Sequence, residues 1–480
     1  YIYIFSCGVC DKNESLKWLS RNFRTITPLA FGKPKEVDQK NHTSANESKN
    51  CPDNSSDRIE DFEVERSWIR FGNANIERHR LADEPYSDVG VKMCTDSTTV
   101  RFVDFSNVTD TLSPNCHKIL INENGTKLKI YDKNVTSFDG GWFRIRNTSV
   151  NAIYLYPETF ENLTSDLLND LPENIRFFSI QQSDLKRLRK GVIVNEHLRG
   201  LDLSVNFIRF IEEGAFAGMN LTRLNLGYNP IVTLDYVPTL PETLLWLNLE
   251  YTGIIEIPAN TFSRLKNLLA LNLVGNHFVE LRPPGLDGLV SLQSLDLALG
   301  DIRNLRPGVF RNLSALHYLD LSVNDIERLD RGVFNGLGCL EKLDLRGNNL
   351  TRLDGGSFQG LADSLESLDL SNNYLEILEA GTFVGAPRYN LSLEENKIRR
   401  IEAGVFDLPY LRYLDLRTNN LTTIDRGAAK HLGNLIEMRL GFNPIESLGN
   451  GALAGLPSDT YVHLAQTPMR MIQAGVFDDH

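Results

Sequence analysis

The chain has 480 residues, with 50 Lys and Arg against 62 Asp and Glu and a formal net charge of −12. This balance excludes a globally basic binder of nucleic acid or of anionic membranes. Hydrophobic residues make up 41% and charged residues 23%, ordinary for a chain with a large buried core. No stretch approaches the roughly 18 apolar residues of a spanning helix. Length alone suggests about three domains.

The chain starts Tyr1-Ile2-Tyr3-Ile4-Phe5, apolar but too short for a signal-peptide core and without a basic flank. It reads as the remnant of one, or as a strand. Five of the six cysteines follow early: Cys7, Cys10, Cys51, Cys94 and Cys116. Cys7-x-x-Cys10 has no second CxxC and no His pair at ligand spacing, so no metal site is expected. Residues 33–61 are polar and hold sequons at Asn41, Asn46 and Asn54, a flexible glycosylated segment. Around it, Trp18, Phe23, Leu29, Phe62, Trp68, Ile69 and Phe71 are candidates for a small cap. Residues 1–116 are therefore expected to be a disulfide-containing N-terminal cap, with Cys94 and Cys116 placed to staple it.

Further sequons stand at Asn13, Asn107, Asn124, Asn134, Asn147, Asn162, Asn220, Asn312, Asn349, Asn390 and Asn420, fourteen in all. Together with clustered cysteines they favour an extracellular chain carrying N-linked glycans, either secreted or the outer part of an anchored receptor. In that compartment Cys7, Cys10, Cys51, Cys94 and Cys116 are expected in disulfides. Five cysteines leave one odd thiol, to pair with Cys339, with another chain or with nothing.

From about residue 117 the chain repeats. The pattern L-x-x-L-x-L-x-x-N places its last slot at Asn206, Asn229, Thr252, Asn276, Gly300, Asn324, Asn348, Asn373, Asn396, Asn419, Asn443 and Thr467. Ten residues behind come Phe216, Phe262, Phe310, Phe334, Phe358, Phe383, Phe406 and Phe477, with Leu286, Ala429 and Leu453 at weaker positions. After Asn229 a stretch with Pro238 and Pro241 lacks the Phe. Degenerate copies lie at Phe178-Ser179-Ile180, Ile153-Tyr154-Leu155 and Leu128-Lys129-Ile130. This is the leucine-rich-repeat pattern. Its L-x-L is one strand with leucines inward. The Asn bonds backbone where the chain leaves the strand. The Phe closes the core from the other side, and stacked coils bury what one coil cannot. The expected fold is an α/β solenoid of about 15 coils over residues 117–480, a horseshoe with a concave parallel sheet. After Phe477 no polar cap follows, so a truncated ectodomain or a partner over the open end is expected.

The positions before, between and after the last two leucines of each strand face the concave side. The middle row includes Asp202, Asp296, Asp320, Asp344, Asp369 and Asp415, a negative floor for a basic protein ligand or calcium, or simply a habit of the repeat. Aromatic residues mark two candidate patches, Tyr228 with Trp246 and Tyr251, and Tyr413 with Phe442 and Tyr461; Tyr318 joins the same face. Exposed Trp and Tyr anchor protein recognition, although they also pair across strands. Asn390 would put a glycan on the concave face and push binding toward the N-terminal half or a flank. Asn349 and Asn420 would carry theirs on the ascending side. Cys339, the counterpart of Ala315, reads as a small, semi-exposed residue or, more sharply, as an inter-chain disulfide.

The segment Leu316 to Phe334, with Leu319, Leu321, Asn324 and Ile326 in register, resembles the extracellular typical class of leucine-rich repeats. That class occurs in Toll-like receptor ectodomains, Slit-type guidance proteins and secreted insect immune factors. The resemblance covers about three quarters of the chain, and the long N-terminal segment departs from it. It implies an innate-immune receptor ectodomain or circulating factor, or else an adhesion or guidance protein. Partners would be a protein or microbial ligand or another ectodomain, in a homo- or hetero-dimer, with no nucleic acid and no membrane insertion. No G-x-S-x-G, H-E-x-x-H or phosphate loop is present and the nine histidines are scattered, so neither catalysis nor a cofactor is expected.

Overall fold

The computed structural model describes residues 150–478, apart from 157–159, 164–167, 169–170, 172, 362–363 and 384–385, and six backbone strands between Tyr86 and Phe138. Residues 1–49 lie outside that description; the strands all lie in the unit 50–480. Cys7, Cys10, Cys51, the apolar residues assigned to a cap and the first four sequons lie outside the described residues.

Parallel strands stack one per coil, from Lys127–Tyr131 and Ala152–Tyr156 through Gly200–Asp202, Arg223–Asn225 and Trp246–Asn248 to Glu437–Arg439 and Tyr461–His463. Equivalent residues register throughout, so Asp296 lies beside Asp320 and Asp320 beside Asp344. The first of these strands, which contains the degenerate copy Leu128-Lys129-Ile130, also pairs antiparallel with Cys116–Asn122. Fourteen successive parallel pairings join fifteen such strands. The α/β expectation is corrected: the back of the coils holds almost no helix. It is built from turns, a 3-10 helix at Val237–Thr239 and two-residue strands such as Phe210–Ile211 and Met471–Ile472. With about 24 residues per coil, too few remain after strand and turn for a helix of useful length.

Among the described residues, the inward apolar side chains of the strands from Ala152–Tyr156 to Glu437–Arg439 are buried in one continuous core. The Asn ladder forms as expected. Asn324 Nδ2 donates to the carbonyls of Leu297, one coil back, and Leu321, while its Oδ1 accepts the N–H of Ile302. Each Asn thereby satisfies buried backbone groups of two coils. At Thr252 the hydroxyl donates to Leu249 O where an Asn amide would, and Asn276 Oδ1 accepts from Ile254 N as the other ladder asparagines do. Phe310, Phe334, Phe358, Phe383 and Phe406 stack with centroids 6.0–6.2 Å apart. In the coil without a Phe, buried Tyr236, Val237 and Leu240 fill the space. Phe477 is a correction: it is 62% exposed, and Val476 takes the inward place. Among the described residues it has a neighbouring coil on one side only, so it has no ring stack to enter.

Cys339 also departs from expectation. It is 8% exposed and disulfide-bonded, not a semi-exposed bystander.

Candidate functional site

Each coil ends its strand with an outward-facing triplet, and the repeat decides what that triplet does. In the middle row the Asp or Asn Oδ1 accepts the N–H two residues on. Examples are Asn225 with Gly227, Asn272 with Val274, Asp296 with Ala298, Asp320 with Ser322 and Asp344 with Arg346, at 2.8–3.1 Å. This short side-chain-to-backbone bond turns the chain off the strand. Asn performs it as well as Asp, so the row has a structural cause. The aspartates are also less open than a floor displayed to solvent: Asp202 and Asp320 are buried, Asp296 and Asp344 half-buried.

The second carboxyl oxygen is nevertheless surplus to that bond. Burial and the neighbouring Asp320 carboxylate hold Asp296 well above the carboxylate range. The same causes, with Asp369 added, push Asp344 up to about 7. Tyr318 Oη donates to Asp320 Oδ2 at 2.8 Å, and burial with that carboxylate raises the phenol. Arg346 approaches Asp344 only to 3.6 Å. Farther along, Arg417 binds Asp415 and Glu394 at 2.7 Å and Arg439 binds Glu437 at 2.7 Å. The uncompensated part of the stripe is thus Asp296–Asp320–Asp344, in the middle of the array. Among the described residues no group of three or more His, Cys, Asp or Glu is placed to hold a metal ion.

The residue before the Asn slot takes a left-handed backbone in coil after coil: Tyr228 at φ 55, Tyr251 at φ 49, Leu299 at φ 57, Val323 at φ 53 and Phe442 at φ 57. For a non-glycine residue this costs roughly 1–2 kcal/mol. The ladder on either side imposes it, and the side chains are thrown outward onto the edge. Tyr228 and Tyr251, 44% and 41% exposed, stack at 4.9 Å between centroids with planes 20° apart. Trp246 starts its strand half-buried, in register with Arg223 and Ala270. The first expected patch therefore has the Tyr pair at the strand's end and Trp246 at its beginning. Between them lies Glu250, which the sequence reading missed. Its carboxylate accepts Asn248 Nδ2 at 2.8 Å and Asn272 Nδ2 at 3.4 Å, and burial raises its pKa. The signal was there: Glu250 is an acid in a row otherwise occupied there by Ser204, Gly227, Val274 and Ala298, and a Cβ on Gly227 would press on its Cγ at 2.9 Å.

The second patch is not continuous. Glu437 stands between Tyr413 and Tyr461 in the sheet, holding Arg439 and His463. Tyr413, Phe442 and Tyr461 are each exposed. Asn390 is exposed on its strand, between Ser367 and Tyr413. Asn162, Asn220, Asn312 and Asn420 are exposed and Asn349 is half-buried. Asn107, Asn124, Asn134 and Asn147 lie outside the described residues. No helix among the described residues is long and apolar enough to cross a membrane.

The family model "Leucine rich repeat" matches residues 173–231, 242–299, 291–350, 339–388, 389–445 and 409–469, together more than half of the chain. No curated protein matches it. Among solved structures, a leucine-rich-repeat protein of Leptospira interrogans is 24% identical at TM-score 0.53, over 67% of this chain and 85% of that one. A chain of the mouse RP105/MD-1 complex is 22% identical at TM-score 0.55, over 67% of this chain and 55% of that one. A chain of the Drosophila Toll–Spatzle complex is 19% identical at TM-score 0.45, over 75% and 63%. At such identities the likeness is one of fold.

Proposed function

The chain belongs to the leucine-rich-repeat family, and from that premise we propose that it is an extracellular recognition protein of innate immunity. It serves as a receptor ectodomain or circulating factor and holds a protein or microbial ligand on its sheet face. The leucine-rich-repeat solenoid is typically a non-enzymatic scaffold for protein recognition. A structure that shares the fold contains a partner, MD-1, bound to RP105. The exposed sequons agree with an extracellular setting.

The observation that carries the reading is the exposed Tyr228–Tyr251 stack beside half-buried carboxyl groups such as Glu250. Two rigid aromatic rings, held out on a strained backbone, supply apolar contact at low entropic cost. Asp296, Asp320 and Asp344 set closely spaced carboxyl groups on the same face; Asp296 and Asp344 are held toward their protonated forms, and a ligand presenting basic groups would draw them into the charged ones. Trp246 lines the approach. Tyr413 and Phe442 offer a second, smaller contact, separated by the Arg417–Asp415 and Arg439–Glu437 ion pairs and by any glycan on Asn390.

The test compares wild type with Trp246→Ala and Tyr251→Ala as bait for extracellular proteins and microbial surface fractions, with circular dichroism as the fold control. A ligand held by wild type and released by the folded variants supports the reading. Equal retention by all three removes this face from it.

A further inference from the structure

The coil after Asn206 departs from its neighbours on the flank that follows the strand. One and four residues past the Asn slot it carries Phe207 and Phe210, 37% and 61% exposed. The next three coils place Pro230, Gly253 and His277 at the first of these positions, and Thr233, Glu256 and Glu280 at the second. Stacking of the coils therefore requires a ring at neither place and does not account for two exposed rings in one coil.

The two rings border a cavity of about 510 Å³. Its other walls are Asp184, Lys186 and Arg187 from the coil before, and Arg209. The short parallel strands Arg187–Leu188 and Phe210–Ile211 fix its sides. Arg187 lies opposite Phe210, with its guanidinium carbon 5.3 Å from the ring centroid. That contact holds the cation over an apolar ring and leaves its N–H donors unspent. Lys186 is shared with Glu161 at 3.3 Å, both side chains exposed. Among the described residues no carboxylate is paired with Arg187 or Arg209. Three cations thus line the cavity against one carboxylate, Asp184, on a chain whose net charge is −12.

Apolar surface runs on from the cavity. In the register of the sheet, Arg209 is followed on the next three coils by Val232, Ile255 and Val279, all exposed. Adjacent coils lie about 4.8 Å apart, so this row lengthens the site by roughly 14 Å, the reach of about four extended residues. A small ligand filling the cavity would leave the row in water. A polyanion without apolar groups would leave the rings in water as well. A peptide with both acidic and apolar side chains covers the whole surface.

We propose that this flank is a binding site, separate from the sheet face, for an extended acidic and apolar peptide segment of a partner protein. Carboxylates of the segment meet Arg187, Arg209 and Lys186, and each arginine presents two N–H groups to a carboxylate. Its apolar side chains cover Phe207, Phe210 and the row from Val232 to Val279. Asp184 accepts a main-chain N–H of the segment.

The test uses the full chain and a short fluorescein-labelled peptide alternating Glu with Leu, read by fluorescence anisotropy. A peptide alternating Lys with Leu controls for the apolar part alone. Saturable binding of the acidic peptide is expected, about tenfold or more tighter than of the basic one and weakened by salt. Phe210→Ser and Arg187→Gln should each weaken it about tenfold. Arg352→Gln, at an exposed arginine on a distant coil, should leave it unchanged. No saturable binding, or equal binding of the two peptides, overturns the proposal, and neither result needs a variant to fold. Binding unchanged in both variants, with circular dichroism showing them folded, overturns it too. A sulfated oligosaccharide held equally by wild type and Phe210→Ser would make the cavity a polyanion site. A wild-type dimer in sedimentation that Phe210→Ser dissolves would make the face a contact between copies of this chain. Either outcome replaces the peptide.

Discussion

The ring of Tyr251 occupies the space that a side chain at Gly275 would need. An added Cβ there would overlap the ring, and Gly275 itself sits at φ +68. Gly275 holds the left-handed position of the coil after Tyr251, so the absence of a side chain in one coil seats the aromatic pair of the two before it.

Gly275→Ala is therefore expected to push Tyr251 off Tyr228. The strained backbone and the overlap together cost about 1–2 kcal/mol. The near-ultraviolet circular dichroism of the stacked tyrosines should fall while the far-ultraviolet spectrum is kept. An unchanged aromatic signal would show that the stack does not depend on Gly275.

The Asn ladder predicts a cost that reaches beyond its own coil. Asn276 Nδ2 donates to Leu249 O and Leu273 O at 2.8 Å, and its Oδ1 accepts from Ile254 N and the Thr252 hydroxyl. Asn276→Ala leaves these groups buried and unpaired, for a loss of roughly 2–4 kcal/mol. Hydrogen exchange of the Ile254 amide should speed up. Protection equal to wild type would mean that the coil closes without the side chain.

Phe334 stacks on Phe310 and Phe358 at 6.2 Å on both sides. Phe334→Ala should cost about 3–5 kcal/mol. Phe477→Ala, at an exposed ring, should stay within about 0.5 kcal/mol. Urea titrations of both variants decide this, and similar midpoints would contradict the distinction between stacked and unstacked rings.

The carboxylate row makes stability depend on pH. Asp344 titrates at about 7 in the folded chain against an ordinary 3.8, so folding favours its protonated form. That contribution is full below about pH 4 and is lost as pH rises through about 7. Asp344→Asn keeps the bond from Arg346 N–H, as Asn272 keeps the one from Val274. The variant should match wild type near pH 4 and exceed it by about 1–3 kcal/mol at pH 8, less whatever the Arg346 ion pair returns. A difference that does not change between the two pH values would refute the shifted titration.

Asn390 lies exposed within the strand Asn390–Ser392. Peptide mass mapping of protein from a secreting cell should find it glycosylated. An unoccupied Asn390 would reopen the face between Ser367 and Tyr413 to a ligand.

Periodicity alone determined much of this protein. The leucine spacing specifies strands at 23–25-residue steps, the buried row, the Asn ladder and the Phe spine, because each follows from one coil packing on an identical neighbour. Tyr228, Tyr251 and Asp344 could be assigned to the outer face on the same grounds. Their surroundings could not be read, since these are set between coils and not within one. Only the tertiary structure shows that the row aspartates spend one oxygen on backbone, that crowding and burial hold Asp296 and Asp344 toward protonation, and that Arg417 and Arg439 neutralise the far end. Only it shows that Glu250 is half-buried beside the tyrosines, that Phe477 is exposed and that Cys339 is bonded. A repeat dictates which way a side chain points; burial and charge depend on the particular residues that the neighbouring coils bring alongside it.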